Sequence, residues 1–194
     1  EDDNVDHPIS LYAATKKSNE LMAYTYSHLY KIPTTGLRFF TVYGPWGRPD
    51  MAYFLFTKAI LEGKEINVFN EGKMQRDFTY IDDVIDGIVE IIDQPPLINS
   101  ITTTNFSESF ESAPYKIFNI GNNKPENLLY FIEVLERCIG KKAKKKFLPM
   151  QPGDVVKTFA DINRLSSAID YKPGTPIEKG LKEFVNWYIQ HYQK

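Results

Sequence analysis

The first part of the chain carries a helical pattern of apolar residues and then a strand-like one. Between residues 10 and 30 apolar side chains such as Leu11 and Tyr26 recur at helical spacing, with polar residues between them. Pro33 ends this pattern. Residues 34–40 are rich in Thr and Phe and nearly continuously apolar at their end, which predicts a buried strand. A helix followed by such a strand is typical of a parallel α/β sheet.

The rest of the chain continues this mixture of helices and strands. Further helices are predicted at residues 52–62, 81–92, 125–139, 161–169 and 176–191. Further strands are predicted at residues 66–69, 115–120 and 156–160. Residues 99–114 are rich in Ser, Thr and Asn, and we expect a surface loop or a partly disordered insert there. The order of these elements indicates an α/β protein.

Composition is that of a soluble globular protein and argues against several functions. The 194 residues are 42% hydrophobic and 25% charged, which suits one or two compact units. The net charge of -2 at pH 7 argues against nucleic acid as a partner. The apolar runs are too short to span a bilayer, so we expect no membrane partner.

The cysteine and histidine content suggests neither a disulfide nor a metal site. A single cysteine, Cys138, excludes an intrachain disulfide and suits a reducing compartment, so we expect a cytoplasmic protein. We expect its thiol to be buried and inert. The histidines are dispersed without metal-ligand spacing, so no metal is expected. The lysines of residues 141–146 are expected to be solvated; an anion-attracting rim is the alternative.

Tyr12 and Lys16 are the first candidates for chemistry. Their separation of four residues in the predicted helix places both side chains on one face, one turn apart. A tyrosine phenol has an ordinary pKa of about 10, and a nearby ammonium favours the phenolate. Such a group can take a proton from a hydroxyl while hydride leaves the same carbon. The spacing alone favours the alternative of a surface helix on which Tyr12 packs against the core and Lys16 is solvated.

Several motifs beyond this pair resemble a known family. They are PISLYAATK at 8–16, RFFTVYGP at 38–45, RDFTYIDD at 76–83, YKIFNIGN at 115–122 and QPGD at 151–154. Together they resemble the extended short-chain dehydrogenase/reductase family over essentially the whole chain. Within that family, GPWGRPDM at 44–51 and LPMQPGD at 148–154 are most similar to UDP-glucuronate 4-epimerases.

The resemblance implies a fold and a domain organisation. The fold would be α/β, the C-terminal part of a Rossmann-like doubly wound sheet plus the smaller α/β substrate-binding domain. Residues 1–45 would end the dinucleotide-binding domain, and residues 46–194 would mainly bind a UDP-sugar, with some segments returning to the sheet. The chain contains no G-x-G-x-x-G turn, the motif that binds pyrophosphate at a helix N-terminus. We therefore expect this chain by itself to bind NAD poorly or not at all.

The resemblance also implies roles for three residues near the cofactor. Tyr12 would remove the 4-hydroxyl proton of a hexose while hydride passes to NAD+. The 4-keto sugar would then rotate, and hydride would return to its other face. Lys16 would hydrogen-bond the nicotinamide ribose, and Phe39 would line the nicotinamide.

Four residues would contact the sugar. Thr41 matches the position at which galactose epimerases carry Asn, and its hydroxyl could bond a C6 carboxylate. Arg48, a planar cation, would be a second partner for a carboxylate or phosphate. Asp50 and Met51 match a loop that covers the substrate.

The nucleotide would be held by four more residues, each with an alternative role. Arg76 would bind the diphosphate, although it could instead pair locally with Asp77. Asp154 would accept from the uridine ribose, or else cap the turn after Gly153. The backbone of Val68 and Phe69 would read uracil, while their side chains pack in the core.

We therefore predict NAD-dependent C4 epimerisation of a UDP-hexose, UDP-glucuronate to UDP-galacturonate, through a 4-keto sugar. The alternatives are another sugar-nucleotide epimerase or a 4,6-dehydratase, and a catalytically inert, truncated UDP-sugar-binding module. The resemblance also implies a homodimer in which the Tyr12 helix packs at a two-fold interface.

Overall fold

A computed structural model describes residues 5–97, 113–151 and 153–192. Its helices are α1 (Leu11–Tyr30), α2 (Ala52–Glu62), α3 (Ile81–Ile92), α4 (Leu128–Ile139), α5 (Asn163–Ile169) and α6 (Ile177–Tyr192). Its strands are β1 (Thr34–Phe39), β2 (Thr41–Tyr43), β3 (Glu65–Phe69), β4 (Gln75–Tyr80), β5 (Tyr115–Ile120), β6 (Pro125–Asn127) and β7 (Lys144–Leu148). The predicted insert at 99–114 falls almost wholly outside the described residues.

Most strand pairs are parallel, as the predicted α/β class requires. β1 pairs with β5 over its whole length, from Thr34 opposite Tyr115 to Phe39 opposite Ile120. β2 pairs in parallel with β4, and β3 in parallel with β7. β6 runs antiparallel along the start of β4. The parallel pairs bring the carboxyl ends of neighbouring strands together, and such edges are where α/β folds bind ligands.

Two sequence predictions of elements are wrong in detail. Residues 125–127 form β6 rather than the start of a helix, and the side chain of Asn127 then caps α4 by accepting from the Leu129 amide at 2.8 Å. Residues 156–160 form no strand; they make a single parallel bridge between Lys157 and Gln75. Four of the five lysines at 141–146 are exposed, as predicted, although residues 144–148 also form β7. Sequence pattern also fails to show β2, β4 and β7.

Two apolar clusters hold these elements together. The larger is rich in aromatic rings, including the stacked pair Phe78 and Phe131 at 4.3 Å between centroids, and it joins α2, α4 and α6 to β2, β3 and β4. The smaller surrounds Ile120 and Leu165 and joins β5 to α3 and α5. β2 and β4 hydrogen-bond to each other and β1 leads directly into β2, so the two clusters share one framework.

Candidate active site

Tyr12 and Lys16 lie on one face at the start of α1. Ser10 caps this helix, because its Oγ accepts from the Ala13 amide at 3.1 Å. The Lys16 Nζ lies 5.3 Å from the centroid of the Tyr12 ring. Tyr12 is 71% exposed, so the alternative in which it packs into the core is wrong. The phenol is open to a ligand and has a cation beside it.

A cavity of about 840 Å³ opens beside this pair. Its volume lies within the usual range for small-molecule sites. Five of the predicted site residues line it: Tyr12, Lys16, Phe39, Thr41 and Met51. The structure thus brings the predicted acid/base pair, the predicted nicotinamide contact and two predicted sugar contacts to one space.

Among the lining residues that sequence reasoning did not assign to the site, four come from the second half of the chain. They are Asn119, Thr158, Phe159 and Asp161. Asn119 lies near the end of β5, beside β1, so correct pairing of those strands would have pointed to it. The other three belong to a segment, residues 158–161, that carries no motif. Only the tertiary fold brings this segment to the cavity.

An ion pair between Arg38 and Glu20 lies at the cavity and joins β1 to α1. The Arg38 guanidinium donates to both carboxylate oxygens of Glu20, at 2.6 and 2.9 Å. Lys17 lies between Glu20, at 3.9 Å, and Asp6, at 3.4 Å. The hydrogen bond from Arg38 holds the pKa of Glu20 below its ordinary value. This pair ties α1 to β1, and so fixes the helix that carries Tyr12.

Arg48 and Asp50 pair with each other in the loop after β2. The Arg48 guanidinium donates to the two carboxylate oxygens of Asp50 at 3.1 and 2.8 Å, and both side chains are largely exposed. The hydrogen bond from Arg48 lowers the pKa of Asp50. Met51, which follows, lines the cavity. Of the three loop residues predicted to contact the sugar, only Met51 lines it.

Arg76 and Asp154 contact each other away from that lining. The Arg76 Nη2 lies 2.6 Å from Asp154 Oδ1, while its Nη1 donates to the carbonyls of Gln75 and Val156. The local pair of Arg76 with Asp77 is therefore wrong. Asp154 Oδ1 also accepts from the Val155 amide at 2.8 Å. Two of the four residues predicted to bind the nucleotide, Arg76 and Asp154, therefore lie together.

Val68 and Phe69 lie in β3, as predicted, and their strand pairs with the lysine-rich β7. Val68 is fully buried and Phe69 partly buried, so both side chains pack. The buried carboxylate of Glu136 anchors the start of β7 by accepting from Lys142, Lys145 and the Ala143 amide. Desolvation raises the pKa of Glu136, but these hydrogen bonds outweigh it and lower the pKa to about 2.

Three further features of the described residues concern Cys138, metal-ligating side chains and helix hydropathy. Cys138 is half-buried rather than fully buried, and desolvation raises the pKa of its thiol. Within the described ranges, His, Cys, Asp and Glu side chains form no group of three that could ligate a metal ion. The described helices include none with the length and hydropathy to cross a membrane.

Comparison with known families finds one match to a family model. The sequence matches the model described as "NAD dependent epimerase/dehydratase family" over residues 1–121. The match covers more than half of the chain and includes the helix with Tyr12 and Lys16. The chain belongs to this family.

Named relatives share the whole of this chain. Protein CapI of Staphylococcus aureus is 55% identical over 193 residues, which are 99% of this chain and 58% of that protein. A probable UDP-glucuronate 4-epimerase of Rhizobium meliloti is 47% identical over 196 residues, covering 100% of this chain and 58% of that protein. The chain thus spans little more than half the length of these relatives.

Solved structures confirm the fold class. UDP-glucuronic acid 4-epimerase from Bacillus cereus, in complex with UDP-glucuronic acid and NAD, superimposes with a TM-score of 0.83 at 36% identity, covering 99% of this chain and 56% of that one. A dTDP-glucose 4,6-dehydratase from Bacillus anthracis shares the fold, with a TM-score of 0.77 at 20% identity over 98% of this chain and 57% of that one. The Rossmann-like α/β class predicted from sequence is therefore confirmed.

Proposed function

We propose that this chain forms part of a NAD-dependent sugar-nucleotide epimerase that converts UDP-glucuronate to UDP-galacturonate. The observation that supports this proposal most directly is that Tyr12, Lys16 and Thr41 line the same cavity. A phenol beside an ammonium offers acid/base chemistry, and a threonine hydroxyl offers a hydrogen bond to a carboxylate. The names of the relatives from Rhizobium meliloti and Bacillus cereus support the choice of substrate.

In this proposal Tyr12 carries the proton in both half-reactions. It takes the proton of the 4-hydroxyl as C4 becomes a ketone, and returns it to the same oxygen as C4 is reduced from the other face. When bound, NAD supplies the hydride acceptor and then the hydride donor. The Lys16 ammonium, 5.3 Å from the Tyr12 ring centroid, would hydrogen-bond the nicotinamide ribose. The half-exposed ring of Phe39 offers an apolar surface for the nicotinamide.

We assign nucleotide binding to Arg76, Asp154 and the backbone of β3. Arg76 would exchange its bond to Asp154 for the diphosphate, and the freed carboxylate would accept from the ribose hydroxyls. Bidentate donation to phosphate suits an arginine. Arg48 would likewise leave Asp50 for the sugar carboxylate, with Asp50 and Met51 covering the substrate. The backbone of Val68 and Phe69 would contact uracil.

Calorimetric titration of this chain with UDP-glucuronate tests the proposal. We expect binding that is lost in Arg76→Ala and kept in Arg137→Ala. Arg137 is an exposed arginine on α4 that contacts Glu133 and the Tyr130 ring and does not line the cavity. Binding strengthened by NAD would show that part of the cofactor site is present. Binding indifferent to NAD would favour the inert UDP-sugar-binding module. No binding by a cooperatively folded chain would contradict the proposed site.

A second copy of the chain is the proposed partner. On α1, Leu21, Met22, Tyr26 and Leu29 are all more than half exposed. Such a continuous apolar surface on a helix is typical of an interface. We propose a homodimer formed through this face of α1.

A further inference from the structure

The buried carboxylate of Asp77 joins two segments that line the cavity. Asp77 lies in β4 and is 0% exposed. One of its oxygens accepts from the Asn122 amide at 2.7 Å, and the other accepts from the Ala160 amide at 3.0 Å. Its own amide donates to the Thr158 Oγ1 at 3.0 Å. Asn122 follows β5, whereas Thr158 and Ala160 belong to the segment 158–161.

Both segments reach the cavity. Asn119 lines it from β5, and Thr158, Phe159 and Asp161 line it from the other segment. The Asn119 amide group also donates to the Asp161 carbonyl at 3.0 Å, a second link between them. Packing is tight, because a Cβ at Gly121 would collide with the Ala160 side chain and lie 3.4 Å from an Asp77 oxygen. The relative position of the two segments therefore depends on this joint.

The joint requires a carboxylate. A carboxylate accepts at both oxygens, so it satisfies two fixed backbone donors at once. An asparagine in its place would turn an NH2 group toward one of those donors and leave a buried amide unsatisfied, which is unfavourable. The segment 158–161 would then lose one of its links to the end of β5.

We propose that Asp77 is a positioning residue for the sugar end of the cavity. It fixes residues 158–161 relative to the end of β5, and so sets the affinity for the hexuronate without contacting it. The inference rests on the proposed function of the cavity. We expect the affinity for UDP alone to depend less on Asp77, because Arg76 keeps its own bonds to Asp154 and to the Val156 carbonyl and neither Arg76 nor Asp154 lines the cavity.

Amide hydrogen exchange tests the joint without any ligand. In Asp77→Asn, exchange at Asn122 and Ala160 is expected to speed up at least about tenfold. Thr79→Val is the first control, since its buried hydroxyl on the same strand has no partner among the described residues. Glu136→Gln is the second, a buried carboxylate that accepts from a backbone amide far from the cavity lining. Equal changes at these two amides in Asp77→Asn and in the controls would overturn the inference.

Calorimetry then tests the consequence for ligands. In Asp77→Asn we expect the Kd for UDP-glucuronate to rise about tenfold or more, and the Kd for UDP to change less than about threefold. General destabilisation would weaken both ligands alike, and that result would overturn a positioning role. If the wild-type chain binds neither ligand, the proposed function of the site has failed, and the exchange comparison alone decides for or against the joint.

If Asp77→Asn does not fold, milder substitutions at Thr158 test the same joint. Thr158→Val removes the acceptor of the Asp77 amide, while Thr158→Ser keeps it. Faster exchange at Asp77 and Ala160 in the valine variant, restored by serine, supports the joint. Identical exchange in the two variants contradicts it.

Discussion

At the residue scale, the cations predicted to bind the ligand already have carboxylate partners. Arg48 pairs with Asp50 and Arg76 with Asp154, so a bound anion must replace a carboxylate in each case. The Arg48 pair is exposed, and such pairs stabilise proteins little. The Arg76 pair is more sheltered, with side chains 18% and 31% exposed. We therefore expect Arg48 to exchange partners more readily than Arg76.

Removing the Thr41 hydroxyl should reduce discrimination between sugars. In Thr41→Val, we expect the affinity for UDP-glucuronate to fall about tenfold or more, because hydrogen bonds to charged groups contribute roughly 1.5–3 kcal/mol. The affinity for UDP-glucose, which lacks the carboxylate, should change little. Calorimetric titration with both ligands measures the ratio. Equal losses for the two ligands would show that Thr41 does not contact the carboxylate.

The Glu136 carboxylate should make stability depend on pH in the acid range. Its folded pKa of about 2 lies below the ordinary value of 4.5. A depressed pKa contributes stability that is present above pH 4.5 and is lost as pH falls toward 2. Glu136→Gln should therefore be less stable than wild type near pH 6, and the difference should shrink between pH 4.5 and pH 2. Thermal unfolding at a series of pH values measures this; a constant difference would contradict the ionised buried carboxylate.

At the element scale, close packing fixes the loop between β2 and α2. Gly44 has a φ of +144°, and a Cβ there would collide with Ile81. A Cβ at Gly47 would collide with the Tyr53 hydroxyl. Trp46 packs on Trp187 at 5.3 Å between ring centroids. This loop carries Arg48, Asp50 and Met51. Its glycines therefore affect the predicted substrate contacts indirectly, because the loop can pack in this position only where it has no side chain.

Gly47→Ala should therefore destabilise the chain and weaken its affinity for UDP-glucuronate. Over-packing costs roughly 1–3 kcal/mol, a fall in Tm of several degrees for a chain of this size. Gly174→Ala is the matched control, because the nearest atom to its added Cβ is 3.8 Å away and its φ lies outside the positive range. Differential scanning calorimetry compares the two variants. Equal stability of Gly47→Ala and Gly174→Ala would contradict the packing argument.

At the scale of the whole molecule, the exposed face of α1 should make the chain self-associate. Light scattering after size exclusion is expected to give a dimer. Charged substitutions within that face, Met22→Glu with Tyr26→Glu, should give a monomer, because burying two unpaired carboxylates is costly. Val89→Glu on α3 is the control, since Val89 is 58% exposed but lies on another helix. A monomeric wild type, or a dimer lost equally with Val89→Glu, would contradict the α1 interface.

Much of the local structure could be predicted from the sequence. The bounds of α2, α3 and β5 agree with the predicted ones, because apolar periodicity and flanking Gly and Pro residues are local signals. The strands β4 and β7 could not be predicted. The sequence of β4 is a charged motif, and that of β7 is three lysines followed by two apolar residues. Both segments form strands because a neighbouring strand supplies hydrogen-bond partners.

The sequence by itself determined the family and the spacing of Tyr12 and Lys16, and it predicted the ligand contacts, because the chemistry resides in residue types at short spacings. Tertiary structure alone decided which of them share a space. It placed Thr41 and Met51 with the pair, kept Arg76 with Asp154 elsewhere, and brought the segment 158–161 to the cavity. Contacts between residues so far apart in the chain leave no local pattern, since they depend on how strands pair and on which buried groups find partners.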